Sequence, residues 1–217
     1  MVCHQVFNSL KNLNLDFKVV EKSGRFPEEK TFEFYVGYKD SWHRLLIIKF
    51  FHGRQPFYRK WIEIFSISPE IVISEKKYRF LNSEEERKLI ECLSRFIDAG
   101  ERIFIEYIYD VETWKALEMG TPPHLTRLGF MLLENGFTWF KDWYFPEGFM
   151  EGNPKIQAEK PVDDIAKNRH LKELCIETSI FAEKAMKFIQ QNIYREIFES
   201  VYNRIEKILN TMCKNMT

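Results

Sequence analysis

Hydrophobic and polar positions alternate through much of the first third of the chain. In KTFEFYVGYK, residues 30–39, Phe32, Phe34, Val36 and Tyr38 share one face of an extended strand, and Thr31, Glu33 and Tyr35 share the other. LDFKVVEK (15–22), HRLLIIKFFH (43–52) and FYRKWIEIFSIS (57–68) read as further strands, with SGRFPEE, DSW and GRQP between them; EIVIS follows Pro69 as a short fifth. The pattern predicts an antiparallel meander covered on one side. Ahead of it, HQVFNSLKNL (4–13) carries Val6, Phe7 and Leu10 at helical spacing.

The period then lengthens. In NSEEERKLIECLSRFIDAG, Asn82 or Ser83 suits an N-cap, and three glutamates follow where the helix dipole favours negative charge. Leu89, Ile90, Leu93, Phe96 and Ile97 form the apolar stripe of this helix, and Gly100 is its expected stop. ERIFIEYIYD (101–110) returns to strand. In TPPHLTRLGFMLLENG, Thr121 suits an N-cap, Pro122 the first helical position and Gly136 the left-handed C-cap, which predicts a helix of about 14 residues. TWFKDWYF (138–145) and PKIQAEK (154–160) read as the last strands.

No glycine or proline occurs from residue 162 to 217, and apolar residues from Ile165 to Leu209 recur at helical spacing. One unbroken helix of that length would extend roughly 80 Å, too far to pack on so small a body. Two helices are expected, folded back near Glu177–Ser179 or near Gln190–Asn192. The order as a whole implies α+β, shading to α/β: a mixed sheet with flanking helices over residues 1–160, and a helical extension over 161–217. The extension offers a surface for a homodimer.

Charge and cysteine content narrow the picture. The chain has 217 residues, with 32 basic against 32 acidic side chains, so no global field favours nucleic acid or an anionic membrane. Rings and basic groups mix at Trp42, Tyr58, Arg59 and Trp61, but strand alternation turns most of these rings inward, which leaves RNA binding a distant third reading. The longest apolar run, Leu45–Phe51, contains Lys49 and is far shorter than the ~20 residues of a spanning helix. The N-terminus lacks a basic start followed by an apolar stretch, so a cytoplasmic protein is expected. Cys3, Cys92, Cys175 and Cys213 are scattered without a C-x-x-C, and free buried thiols are the expectation, with no metal site.

The order of elements, with LLENGFTWF placing Gly136 and Phe137 at the end of the helix before the last two strands, resembles the GNAT acyltransferase fold. The block from GERIFIEY to KIQAEKP also resembles an uncharacterised prokaryotic family, best known from archaea, that is thought to share this fold. The resemblance covers roughly residues 30–160. It implies transfer of an acyl group from acetyl-CoA or another acyl-CoA to an amine. The chain departs from the pattern in two places. The segment before the long helix, KKYRFLNSEEERK, has no glycine to cradle a pyrophosphate and carries three glutamates that repel one. Leu132 stands four residues before Gly136, where GNAT enzymes often carry a tyrosine acid.

Alternation in ERIFIEYIYD puts Glu106 on a strand face where a carboxylate must be paired or protonated, so its pKa would be raised toward acid–base duty. Tyr109, Asp110 and Thr113 follow at the strand's C-terminal end, where open αβ sheets keep their ligand crevice. On the acyltransferase reading Glu106 or Asp110 is the general base, and Tyr109 or Tyr144 protonates the leaving thiolate. Thr126 and Arg127 beside a helix start suit an anion, and Lys141, Asp142, Trp143 and Glu147 suit a flat or amine-bearing small molecule. His124 reads as a solvated first-turn residue. The alternative function is non-catalytic: a small-ligand or anion-binding protein that uses the same cleft, with the helical tail as its partner surface.

Overall fold

The computed structural model of the protein describes residues 16–23, 29–38, 41–51, 61–64, 70–73, 76–79, 83–95, 97–105, 110–143 and 154–214. The chain divides into two compact units, Met1–Tyr109 and Asp110–Thr217. The opening helix expected at 4–13 lies outside the described residues.

In the first unit, β1 (Asp16–Ser23), β2 (Glu29–Tyr38) and β3 (Ser41–Phe51) form a three-stranded antiparallel sheet in that order. The β2–β3 register slips between Phe34, opposite Leu46, and Tyr35, opposite Arg44. Glu33, on the polar face of β2, is buried but compensated: it accepts the Tyr35 hydroxyl proton and lies 2.8 Å from Lys22 Nζ. The Lys18 ammonium stands 4.1 Å from the centre of the Trp42 ring, on the adjoining surface.

β4 (Trp61–Ile64) pairs in parallel with β7 (Arg102–Ile105), and β5 (Glu70–Ile73) with β6 (Lys76–Arg79) makes a small hairpin. β6 lies within KKYRFLNSEEERK, outside the strands expected from alternation. Between them α1 (Ser83–Ser94) buries Ile90 and Leu93, as its stripe requires. It ends six residues before the expected stop at Gly100, whose φ is 75°. The Ser94 hydroxyl donates to the Ile90 carbonyl at 2.6 Å, and Glu101 accepts the Asp98 N–H at 2.7 Å, so local side-chain bonds replace the last turn. Parallel and antiparallel pairings with intervening helices make this an α+β protein.

The second unit opens with α2 (Val111–Glu118), a helix missed from sequence although Asp110 caps it. The expected helix from Thr121 is broken in two. Pro123–Leu125 form a 3₁₀ turn, the cap is Thr126 rather than Thr121, and α3 (Arg127–Glu134) is 8 residues long. Thr126 Oγ1 donates to the Pro123 carbonyl at 2.7 Å and accepts the Gly129 N–H at 3.2 Å, closing the turn onto the helix. A Cβ on Gly129 would sit 1.8 Å from that carbonyl, so only glycine allows the fold-back. The Thr121 hydroxyl is buried and makes no hydrogen bond among the described residues.

β8 (Trp139–Trp143) and β9 (Lys155–Glu159) pair antiparallel. After Pro161, Asp163 caps α4 (Asp164–Gln190), whose 27 residues lead through a turn at 191–194 into α5 (Arg195–Ile208). The turn falls at the second of the two places expected. Asn192 and Tyr194 turn the chain with φ of 57° and 43°. The helices meet over Leu174, Phe181 and Ala185 from α4 and Phe198, Val201 and Ile205 from α5, and α2 and α3 add Ala116 and Leu133 to the same core. The tail is therefore packed against residues 110–143.

Cysteine use differs from the expectation of free thiols. Cys175 on α4 is disulfide-bonded to Cys213 in the π-helical turn Leu209–Cys213 that ends α5, with Cα atoms 5.8 Å apart. Cys92 is also disulfide-bonded. The antiparallel helix pair brings together two cysteines 38 residues apart in sequence, a proximity that spacing does not reveal.

Candidate functional site

Asp110, Thr113, Thr126 and Arg127 are brought together as two linked helix caps. Asp110 accepts the Thr113 N–H at 2.9 Å and its hydroxyl proton, and its other oxygen lies 3.1 Å from Arg127 Nε. Thr113 Oγ1 in turn accepts the Leu128 N–H at 3.2 Å. The helix start expected to receive an anion lies at Arg127 rather than at the prolines, and its Leu128 and Gly129 N–H groups are taken by threonine hydroxyls. Arg204 from α5 ties the same corner, donating to the Leu125 carbonyl at 3.2 Å and to the Glu112 carboxylate.

Lys141, Asp142 and Trp143 lie consecutively on β8, opposite Gln157, Ile156 and Lys155 of β9. Lys141 is exposed and Asp142 half-buried. Glu106, Tyr109, Tyr144 and Glu147 fall outside the described residues.

A second group of side chains, not assembled from sequence, surrounds a cleft of about 70 Å³. His124 from the 3₁₀ turn, Thr138 and Phe140 at the start of β8, and His170, Glu173 and Glu177 from α4 line it. His124 is not solvated as expected but 1% exposed, because the Pro122–Pro123 turn tucks the imidazole inward. Its Nε2 lies 2.9 Å from Thr178 Oγ1. That hydroxyl spends its only proton on the Leu174 carbonyl at 2.7 Å, so it accepts, and His124 carries hydrogen on Nε2. Nδ1 is left with a lone pair, no hydrogen bond among the described residues, and Glu177 Oε2 at 3.8 Å. Burial pushes the His124 pKa down to about 3, which keeps the ring neutral.

His170 is arranged by the same logic. Its Nε2 faces the Arg169 guanidinium at 3.5 Å, a donor only, so Nδ1–H donates to Thr138 Oγ1 at 3.1 Å.

Glu177 has its pKa raised, first by burial and then by the neighbouring Glu173 and Asp142 carboxylates. Asp142, chosen from sequence as a ligand-binding residue, therefore contributes to the field of this cleft. The 3.8 Å separation of His124 Nδ1 and Glu177 Oε2 is too long for a direct hydrogen bond, and a donor placed to one side, off the line joining them, is within reach of both acceptors. Among the described residues no group of three or more His, Cys, Asp or Glu side chains is disposed to hold a metal ion. No helix among them is long and apolar enough to cross a membrane.

One sequence signal could have found this group. His170, Leu174, Thr178, Phe181 and Ala185 are the buried residues of α4, and a histidine and a threonine on so apolar a face need partners from elsewhere in the chain.

No curated protein matches the sequence. A crystal structure of a protein of unknown function from Aquifex aeolicus VF5 is similar at 40% identity, with 89% of each chain covered and a TM-score of 0.64. Residues 14–185 match the family described as a protein of unknown function, DUF1122, and the chain belongs to that family.

Proposed function

We propose that the chain is a small-ligand-binding protein whose cleft at His124 and Glu177 takes the ammonium group of a primary amine. The observation that carries this reading is the buried, unprotonated His124 Nδ1 with the Glu177 carboxylate 3.8 Å away, two acceptors that a single ammonium seated beside them can reach together. An ammonium satisfies both acceptors and offsets the repulsion among Glu177, Glu173 and Asp142. The small volume suits a head group rather than a whole cofactor.

Because the Glu177 pKa is raised, the carboxylate is lost at a higher pH than usual, and amine affinity is expected to rise as pH rises through that value, with release of a proton on binding. Calorimetry with n-propylammonium chloride at about pH 5 and about pH 8 checks the direction, and Glu177→Gln is expected to weaken binding about tenfold. Binding that favours acetate over the ammonium, or that ignores Glu177→Gln, would remove this reading.

The second reading is N-acyl transfer to the same amine on a GNAT-like framework. Support comes from the element order and from the stop at Gly136, with φ of 88°, followed by the fully buried Phe137. In that reaction the amine nitrogen attacks the thioester carbonyl of an acyl-CoA, the C–S bond breaks, and coenzyme A leaves as the thiol. A His124 pKa of about 3 makes the ring a weak base, so the cleft is better suited to holding an ammonium than to deprotonating it, and binding ranks first. Thiol release from acetyl-CoA and n-propylamine, above the rate in buffer and lost in Glu177→Gln, is the outcome that would reverse the ranking.

A further inference from the structure

Three carboxylates gather at the cleft of His124, and a single ammonium leaves two of them uncompensated. Glu173 and Glu177 both line it, and at i and i+4 on α4 they stand one helical turn apart on the same face. Asp142 approaches from β8, where alternation puts it on the same side as Phe140, another lining residue. Both Glu173 and Asp142 are near enough to Glu177 to raise its pKa. Among the described residues no lysine or arginine forms a salt bridge with any of the three. Arg169, one turn before Glu173, turns its guanidinium to His170 Nε2 at 3.5 Å instead. His124, 1% exposed, lines the same cleft with the free lone pair of Nδ1.

We infer, resting on the amine reading above, that the ligand is a linear aliphatic diamine. One ammonium sits at His124 and Glu177, and the second lies one turn along α4 at Glu173, in the negative field that Asp142 extends. One turn is about 5.4 Å along the helix axis, a distance that an extended chain of three or four methylenes spans. The cleft of about 70 Å³ takes a head group, so the rest of the molecule leaves it. Glu173 marks the way out, because it is exposed and also borders the open groove on the other side. Beyond Glu173 that groove turns basic, at Arg169 and Lys172, which opposes a third ammonium. The charge order therefore selects a diamine over both a monoamine and a longer polyamine. Because Glu173 is exposed, its pairing is screened and the gain over a monoamine is moderate.

Calorimetry of the full chain at about pH 7 and about 0.15 M salt compares n-propylammonium, trimethylenediamine, tetramethylenediamine and the triamine norspermidine. The diamines are expected to bind about tenfold tighter than the monoamine, of which about twofold is the statistical gain from two identical ends. Norspermidine is expected to gain nothing further. Glu173→Gln, a change at an exposed position, is expected to bring the diamines to within about twofold of n-propylammonium while weakening the monoamine far less. If n-propylammonium binds and the diamines show no more than the statistical gain, the diamine inference fails and the amine reading stands. If no amine binds, both fail. A diamine preference that survives Glu173→Gln, or that magnesium chloride at the same concentration abolishes, reports an unspecific counterion and overturns the inference as well.

Discussion

Lowering the pH from neutral to about 4 is expected to remove about 3 kcal/mol of folding stability through His124 alone, approaching about 5 kcal/mol in the acid limit. The imidazole is 1% exposed, and its pKa falls from 6.5 to about 3 because burial disfavours the charged ring. The groups facing it do little to offset this. Thr178 is held as an acceptor toward Nε2, and Glu177, at 3.8 Å from Nδ1, itself takes up a proton more readily than an ordinary carboxylate. The folded pKa lies below the unfolded value, so the unfolded chain binds the proton first as pH drops. Stability is complete above 6.5 and is lost progressively toward 3.

Glu177 acts with the opposite sign. Its raised pKa penalises folding once the carboxylate is ionised, and acid relieves that penalty. Urea unfolding at about pH 7 and about pH 4, followed by the helical circular dichroism signal, isolates the histidine when wild type is compared with His124→Gln. Glutamine can still donate to Thr178 but does not titrate, and contributions from other carboxylates cancel in the difference. Equal acid losses in the two proteins would sink the assignment.

Removing the Cys175–Cys213 bond by serine substitution at both positions is expected to lower stability by about 2–4 kcal/mol. The bond closes a loop spanning 38 residues, and a cross-link of that span restricts the unfolded chain by roughly 4 kcal/mol in the loop-entropy account, less whatever order the unfolded chain keeps. It also holds the π-helical turn at Leu209–Cys213 onto α4, beyond the last fully buried contact of α5 at Ile208. For a unit of this size the melting temperature should fall by on the order of 10–20 °C. A scanning calorimetry midpoint that does not move would show that the bond adds nothing to a hairpin already secured by its apolar seam. The double serine variant is the cleaner comparison, because a reductant would act on the Cys92 bond as well.

Local rules carried the sequence reading as far as neighbouring residues could decide the outcome. The alternation of β2 and the apolar stripe at Ile90 and Leu93 follow from periods within one segment, and the fold-back of the tail follows from its length, with the place, after Gln190, one of two left open. Errors began where a distant or very close partner intervened. Thr121 has the right sequence context for a cap, but Gly129 lets the Pro123 carbonyl approach so closely that Thr126 caps instead. His124 looks solvated until Thr178, 54 residues away, meets it, and Cys175 looks like an isolated thiol until the helix pair delivers Cys213. The sequence-chosen residues Asp110, Thr113, Thr126 and Arg127 do converge, yet as caps that consume one another's hydrogen-bonding groups. Of that selection, Asp142 reaches the cleft's electrostatics.

The turn at 191–194, with Gln191, Asn192 and Tyr194 exposed, is the natural point of attack for a protease on this hairpin. It lies inside the covalent ring that Cys175 and Cys213 close. A chain clipped there remains one molecule, its fragments joined through sulfur and its helices still packed, and the cut becomes visible as two pieces only after reduction.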